Sequence, residues 1–404
     1  MYDVLFLSFL IPEEIDAQVR GKMSKTMDDA ASAWQKNVIS GIESNIGGPV
    51  TLFNYLPIKS YPKYYKDAFV KKSVFSHTAG AKDINLPFCN VKYIKRLFLG
   101  NSVKREVRQW AKNNDGREKI IVAYTLYPEY LKAINEAKRI NPLIKSAAIV
   151  LDLPEYMVLT KQVGLYTKLF LKWNRWMADR YIDRIDYFSL ITDQMKEKLD
   201  IHVPYCVIEG ICTSQMPPRT PQTDGLKRVF YGGTLHEKFG VLQLANAFRQ
   251  IEDPRYRLVI CGYGDAEDKI REAAKQDARI DFKGQLKREE VLSLMVGSDV
   301  IVNPRQGKED FAKYSFPSKN LEALSSGVPF IGYKLAGIPD EYDEFINYPE
   351  NDSERSLAQL IFHVCEDADE EYSARAQKAK NWVKENKGPD GQAKKLMDLL
   401  QRVK

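Results

Sequence analysis

No stretch of this 404-residue chain approaches the roughly 20 consecutive apolar residues of a membrane-spanning helix, which excludes a helical span. Cysteine is scarce. The five residues (Cys89, Cys206, Cys212, Cys261 and Cys365) are odd in number and scattered, which does not suggest a disulfide framework, and Cys261, inside an apolar run, reads as core. The four histidines lie far apart, and no Cys/His spacing fits a metal site. No serine sits in a nucleophile-elbow pattern, so serine-based nucleophilic catalysis has no support. The opening MYDVLFLSFLIPEE has neither a basic leader nor a small-residue cleavage site, and reads as a first buried strand rather than a signal peptide. These absences together predict a cytoplasmic, reduced protein that needs no metal.

The chain is longer than one ordinary hydrophobic core, so two domains are expected. Hydrophobic residues at 44% and charged residues at 28% are those of a globular protein. The net charge of +6 is modest but unevenly spread. Cations and aromatics alternate in three stretches of the first half: Lys59 to Lys66 with Lys71 and Lys72, Lys92 to Phe98 with Lys104, Arg105 and Arg108, and Tyr166 to Trp176 with Arg180 and Arg184. Two readings stand side by side: a face for an anionic bilayer, which would make the protein peripheral on the inner membrane surface, or ordinary amphipathic helices with solvated Lys and Arg. No motif for nucleic acid accompanies the charge.

Short apolar runs alternate with helical spacing throughout. In the first half the runs are Asp3 to Leu10, Val50 to Leu56, Lys119 to Tyr124, Ser146 to Leu151, Tyr187 to Thr192 and Tyr205 to Ile208, with a helix from Ala30 to Ile42 ending before Gly47-Gly48-Pro49. Thr213 to Leu226 is polar and proline-rich, a linker. The pattern restarts at Arg228 and repeats through Tyr256–Cys261, Ile280–Phe282, Val300–Val302 and Pro329–Gly332. Strands separated by helices predict parallel sheets covered on both faces. Glu371 to Lys404 reads as helices broken near Gly388-Pro389. The expected division is 1–212, a linker at 213–226, a second domain at 227–380 and a C-terminal helix at 381–404.

The segment from Asn303 to Asp340 carries the most chemistry. A strand run is followed by Ser315, Pro317 and Ser318 as a helix start, helical spacing from Lys319 to Ser325, and a Gly327 stop. The free N–H groups and positive dipole of that first turn suit phosphate. Lys319 lies in the turn and Arg305 just upstream, while Glu322 sits one turn further, where a carboxylate accepts bonds from sugar hydroxyls. A diphosphate beside a polyol is a nucleotide-sugar. Ile260 to Glu267 (ICGYGDAE) is a strand, a glycine turn and a helix start, but Glu267 stands where a dinucleotide fingerprint has its third glycine, so a structural turn is the better reading.

Asn303-Pro304-Arg305, Lys313 to Lys319 (KYSFPSK), Glu322, Ser326-Gly327 and Pro329 resemble the donor site of retaining glycosyltransferases of family 4, of the bacterial capsule and exopolysaccharide type. The likeness runs from Val229 to about Tyr342 and is fainter in Leu151 to Met157 and Val207 to Ile211. It implies an α/β, GT-B fold: two doubly wound parallel-sheet domains facing a cleft, with the last helix, at 381–404, returning to the first domain. It also implies a metal- and cofactor-free hexosyl transfer from a nucleotide-sugar, expected to be UDP-linked, to a hydroxyl of a lipid-linked glycan.

The resemblance places Gly232, Gly233, Thr234 and Lys238 at a first phosphate loop, although the family's arginine and lysine fall on Thr234 and Phe239. Lys238, one residue off, is equally a solvated helix-start lysine. Gln285 and Leu286 are base contacts by resemblance. Arg305, Lys319, Ser318 and Asn320 are expected at the diphosphate and Glu322 at the ribose, whereas Tyr314 stands where a sugar-contacting glutamate is common. Asp152, after a strand end, is a base for the acceptor hydroxyl or equally a turn-forming aspartate. Glu13, Trp34, Tyr124 and Thr125 complete the acceptor side. Two alternatives stay open: a binding protein that keeps the pocket without turnover, and a nucleotide-sugar epimerase.

Overall fold

The structure is a computed structural model that describes residues 2–402 apart from 25–29, 93, 154–164, 214, 220–223, 308–309 and 368–369. Residues 154–157 of the first-half resemblance, Lys308 and Glu309 of the donor segment, and parts of the linker lie outside the described residues, as do the side chains of Tyr166 to Leu171. The chain divides into two compact units, Met1–Ile211 with Pro389–Lys404, and Cys212–Gly388.

The first unit is built on a sheet of eight strands among the described residues. In chain order the elements are β1 (Tyr2–Ser8), α1 (Asp16–Arg20), α2 (Ala30–Ile46), β2 (Thr51–Asn54), β3 (Phe69–Val70), β4 (Ser73–Phe75), β5 (Asp83–Asn85), β6 (Phe88–Cys89), α3 (Lys95–Lys112), β7 (Glu118–Tyr124), α4 (Pro128–Ile140), β8 (Lys145–Val150), α5 (Leu165–Ile182), β9 (Tyr187–Leu190), α6 (Met195–Leu199) and β10 (Tyr205–Val207). Strand order is β10-β9-β8-β7-β1-β2-β5-β4, parallel except for the β4–β5 edge pair, while β3 and β6 form a separate ribbon. β1 and β7 are buried along almost their whole length, as strands covered on two faces must be.

The second unit is wholly parallel. It contains β11 (Lys227–Gly232), α7 (Val241–Arg249), β12 (Tyr256–Cys261), α8 (Glu267–Gln276), β13 (Ile280–Gly284), α9 (Arg288–Val296), β14 (Val300–Val302), α10 (Ser318–Ser326), β15 (Phe330–Ile331), α11 (Glu354–Cys365) and α12 (Glu371–Asn386). The order β13-β12-β11-β14-β15 means the chain walks outward from β11, then returns to β14 on the other side. Val229, Leu258, Ile260, Val300 and Ile331 fill its core with Leu244 and Phe248 of α7.

The returning helix is shorter than the sequence reading set it. The return begins at Pro389, not 381, as α13 (Pro389–Arg402). α12 packs on α10 through an apolar face that includes Ala376, Ala379 and Val383, so it stays with the second unit. Gly388-Pro389 ends that helix, and Ala393, Leu396, Met397 and Leu400 then join the first unit's core, with α13 lying along α2. The first boundary falls after Ile211, because the Cys212 N–H bonds the Lys387 carbonyl at 2.7 Å.

One ion cluster fastens the first unit's edge. His77, between β4 and β5, has Nδ1 2.6 Å from Asp83 Oδ2 and Nε2 3.0 Å from Glu43 Oε1 on α2. Asp83 is fully buried and also accepts the Leu52 N–H of β2 at 2.8 Å. Burial alone would lower the imidazole pKa, but the two carboxylates outweigh it and raise it to about 9. The folded value lies above the unfolded one, so the stabilisation is complete below pH ~6.5 and is lost as pH rises through the folded value. His77→Gln is therefore expected to lower urea stability by about 2–3 kcal/mol at pH 7, with the difference from wild type closing toward pH ~9.5. A difference independent of pH would overturn this account.

Candidate functional site

In an open parallel sheet, ligands bind beyond the carboxyl ends of the strands where the strand order reverses. In the second unit that point lies between β11 and β14. A cavity of about 250 Å³ sits there, with Phe230, Met295, Ile301 and Phe330 among its apolar lining. Further lining comes from three segments: Gly232, Gly233 and Thr234 at the end of β11, Asn303 and Arg305 after β14, and Pro317, Ser318 and Lys319 at the start of α10.

The tip of α10 is open. Pro317 holds the cap position and no side chain caps the helix. The Asn320 N–H already bonds the Pro317 carbonyl at 2.8 Å, which leaves the N–H groups of Ser318 and Lys319 for an anion. Asn320 is buried, and its Oδ1 accepts from Asn303 Nδ2 at 2.7 Å, so this side chain braces the β14 loop against the helix. Gly327, at φ +76°, ends α10 where the sequence places the stop.

Two cations line the cavity. Arg305 donates from Nη2 to Ser315 Oγ at 2.7 Å, and burial lowers its pKa, although a guanidinium stays charged. Lys319 Nζ lies 2.7 Å from Glu322 Oε2, and Arg288 Nη2, at the start of α9, lies 2.7 Å from Glu322 Oε1. Burial pushes the Glu322 carboxyl up, but Lys319 and Arg288 together outweigh it and hold it below the usual glutamate value. Glu322 is thus a fixed, ionised acceptor one turn behind the open tip. Arg288 was not legible as part of this site, since only the fold brings it to Glu322.

Several other expected site residues do not line the cavity. Lys238 sits in the 3-10 turn Glu237–Phe239, its Nζ 5.8 Å from the Phe239 ring. Gln285 is exposed and Leu286 half-buried in the loop between β13 and α9, the loop that ends at Arg288. Tyr314 closes the 3-10 turn Asp310–Tyr314, with Lys313 Nζ 5.3 Å from its ring. Phe239 and Asn303, by contrast, join the lining.

In the first unit Asp152 follows β8 and is exposed, yet partial desolvation by the surrounding protein raises its carboxyl pKa. Tyr124 ends β7, is buried, and packs its ring 6.1 Å from that of Trp34 on α2. Thr125 follows at φ +64°, a strained conformation for a β-branched residue at a strand end. Glu13 lies elsewhere: it pairs with Lys36 at 2.7 Å and lines a separate cavity of about 330 Å³ with Glu14, Glu43 and His77. The expected acceptor residues therefore form two groups. Among the described residues no cluster of acidic, His or Cys side chains has the makings of a metal site.

Residues 226–367 match the family described as glycosyl transferases group 1. No curated protein matches the sequence significantly. Solved structures match over both units. Sucrose-phosphate synthase from Thermosynechococcus elongatus is 15% identical with a TM-score of 0.61, covering 99% of this chain and 98% of its own. The lipopolysaccharide outer core galactosyltransferase WaaB is 15% identical with a TM-score of 0.61, covering 99% of each chain. HepE from Anabaena, solved with UDP, is 13% identical with a TM-score of 0.59, covering 99% of this chain and 100% of its own. The chain has the GT-B fold of these proteins, and its second unit is similar to the glycosyl transferases of group 1.

Proposed function

We propose that the protein is a retaining glycosyltransferase that moves a sugar from a UDP-linked donor to a hydroxyl of a lipid-linked glycan. The observation that carries this reading is the convergence of an uncapped helix tip, Arg305 and Lys319 on one cavity at the sheet's reversal point. A pyrophosphate seated there meets two cations and at least two N–H groups, and Glu322, one turn behind the tip and outside the cavity lining, is the proposed ribose contact. These groups stabilise the charge that grows on the leaving phosphate as the glycosidic bond breaks, which is the work a metal does elsewhere, so the reading expects none. No side chain of the cavity is arranged as a nucleophile, which fits attack from the face the leaving group departs. HepE has been solved with UDP and with UDP-glucose, which supports the choice of donor. Within the first unit, Asp152 has a raised carboxyl pKa that suits a base for an acceptor hydroxyl.

A face of the first unit supports a membrane-borne acceptor. Leu97 and Phe98 on α3 and Trp173 and Trp176 on α5 are exposed. Arg96 and Lys132 lie within about 6 Å of the Trp173 ring and Arg180 equally close to Trp176. Exposed aromatics interleaved with cations suit the interface of an anionic bilayer. Among the described residues no helix is long and apolar enough to cross one.

One experiment tests both parts. The purified chain is screened by thermal shift with UDP, GDP and ADP, then incubated with UDP-sugars and lipid-linked acceptors on anionic liposomes. Stabilisation by UDP, co-pelleting at low salt and acceptor-dependent UDP release are expected. No shift with any nucleoside diphosphate would remove the functional reading. UDP binding without transfer to any acceptor favours a binding protein, and a rearranged sugar released without acceptor favours an epimerase.

A further inference from the structure

The loop after β11 reaches the cavity through Gly232, Gly233, Thr234 and Phe239, none of which is charged, and Lys238 is not in the lining. The aromatic ring stands where this loop could have presented a cation. The guanidinium of Arg305 lies over that ring, Cζ 5.3 Å from the Phe239 centroid. Ser315 holds its other side through the 2.7 Å bond to Nη2. The two loops are also locked backbone to backbone: Gly240 has φ +80°, and a Cβ there would lie 2.3 Å from the Pro304 carbonyl oxygen. Residue 239 and residue 305, far apart in sequence, are thereby fixed as neighbours on one cavity wall.

We propose that Arg305 supplies to this wall the positive charge that the β11 loop lacks, and that Phe239 and Ser315 are positioning residues that fix its guanidinium toward a pyrophosphate. The inference rests on the nucleotide-sugar reading above and deepens it. A planar guanidinium carries five N–H donors, and an aromatic face and a fixed hydrogen bond hold its plane in one orientation. Phe239 is then not a lost site residue. It is a platform, and its apolar ring also keeps water from the cation it supports.

The test moves the charge along the wall. Affinities for UDP and for uridine are measured by calorimetry on wild type, Arg305→Ala, the double variant Arg305→Ala with Phe239→Lys, and the control Arg305→Ala with Phe239→Leu. Arg305→Ala is expected to weaken UDP binding by about 10–100-fold and leave uridine binding within about twofold. Phe239→Lys is expected to restore most of that loss, and Phe239→Leu none of it. Ser315→Ala is expected to lower UDP affinity partially and Ser315→Thr to keep it. Equal loss of UDP and uridine affinity in Arg305→Ala, or no recovery from the relocated lysine in a folded double variant, would overturn the proposal. Failure of wild type to bind UDP would instead sink the functional reading.

Discussion

Lys319→Ala is expected to lower kcat/KM for sugar transfer by about 10²–10³-fold, with most of the loss in kcat. The side chain lines the cavity beside the open tip of α10, where charge develops on the leaving phosphate. An interaction that strengthens as the bond breaks appears in kcat rather than in ground-state affinity. Lys319 is half exposed and sits on the first turn of the helix, so its loss leaves the fold intact and the two effects separate cleanly. The change also reaches Glu322. Burial raises that carboxyl, and Lys319 is the larger of the two opposing charges. With only Arg288 left, the carboxyl protonates at a higher pH than in wild type, so activity falls earlier on acidification. Steady-state kinetics across pH 4 to 8 read both effects, and Lys319→Arg is expected to recover a substantial part of kcat. Activity within about threefold of wild type in Lys319→Ala would remove the leaving-phosphate role.

Much of this was legible because parallel strands buried on both faces leave contiguous apolar runs. Val300–Val302 and Tyr256–Cys261 announce themselves that way, and Pro317-Ser318-Lys319 announces a helix start through the chemistry of its first turn. What escaped was set by tertiary proximity. Nothing in the spacing of Arg288 and Glu322 shows that α9 and α10 bring them to 2.7 Å. The platform role of Phe239 depends on Gly240 meeting Pro304. The edge strands Ser73–Phe75 and Asp83–Asn85 are too short and too polar to give a period, and they hold through His77 and Asp83 instead. The break at Gly388-Pro389 is plain in the sequence, yet which unit each flanking helix joins depends on the surface it covers: α12 covers α10, and α13 covers α2. Glu13 and Trp34 separate for a similar reason: Glu13 lines the cavity beside His77, whereas Trp34 packs against Tyr124.

The other large effect is expected from a residue that touches no ligand. Gly262→Ala should cost more than about 3 kcal/mol and abolish measurable UDP binding. Gly262 directly follows β12 at φ +140°, a conformation essentially closed to side-chain-bearing residues, and a Cβ there would fall 1.8 Å from the Gly233 carbonyl oxygen. Backbone rests directly on backbone at this place. Gly233 N–H bonds the Cys261 carbonyl at 3.0 Å, Leu235 N–H bonds that of Tyr263 at 2.9 Å, and Gly262 N–H bonds that of Gly284 at 2.8 Å. The two glycines of Gly262-Tyr263-Gly264 therefore form a shelf for the loop Gly232 to Leu235, whose glycines line the cavity, rather than a phosphate cradle of their own. A methyl group on the shelf must displace that loop, which forms part of the cavity lining. Gly225→Ala separates strain from overlap: its φ is +71° with nothing near the added Cβ, so only the backbone cost of about 1 kcal/mol is expected there, with UDP binding kept. Urea denaturation and calorimetry on both variants decide the matter. Should Gly262→Ala prove no more costly than Gly225→Ala, the β11 loop does not depend on this contact.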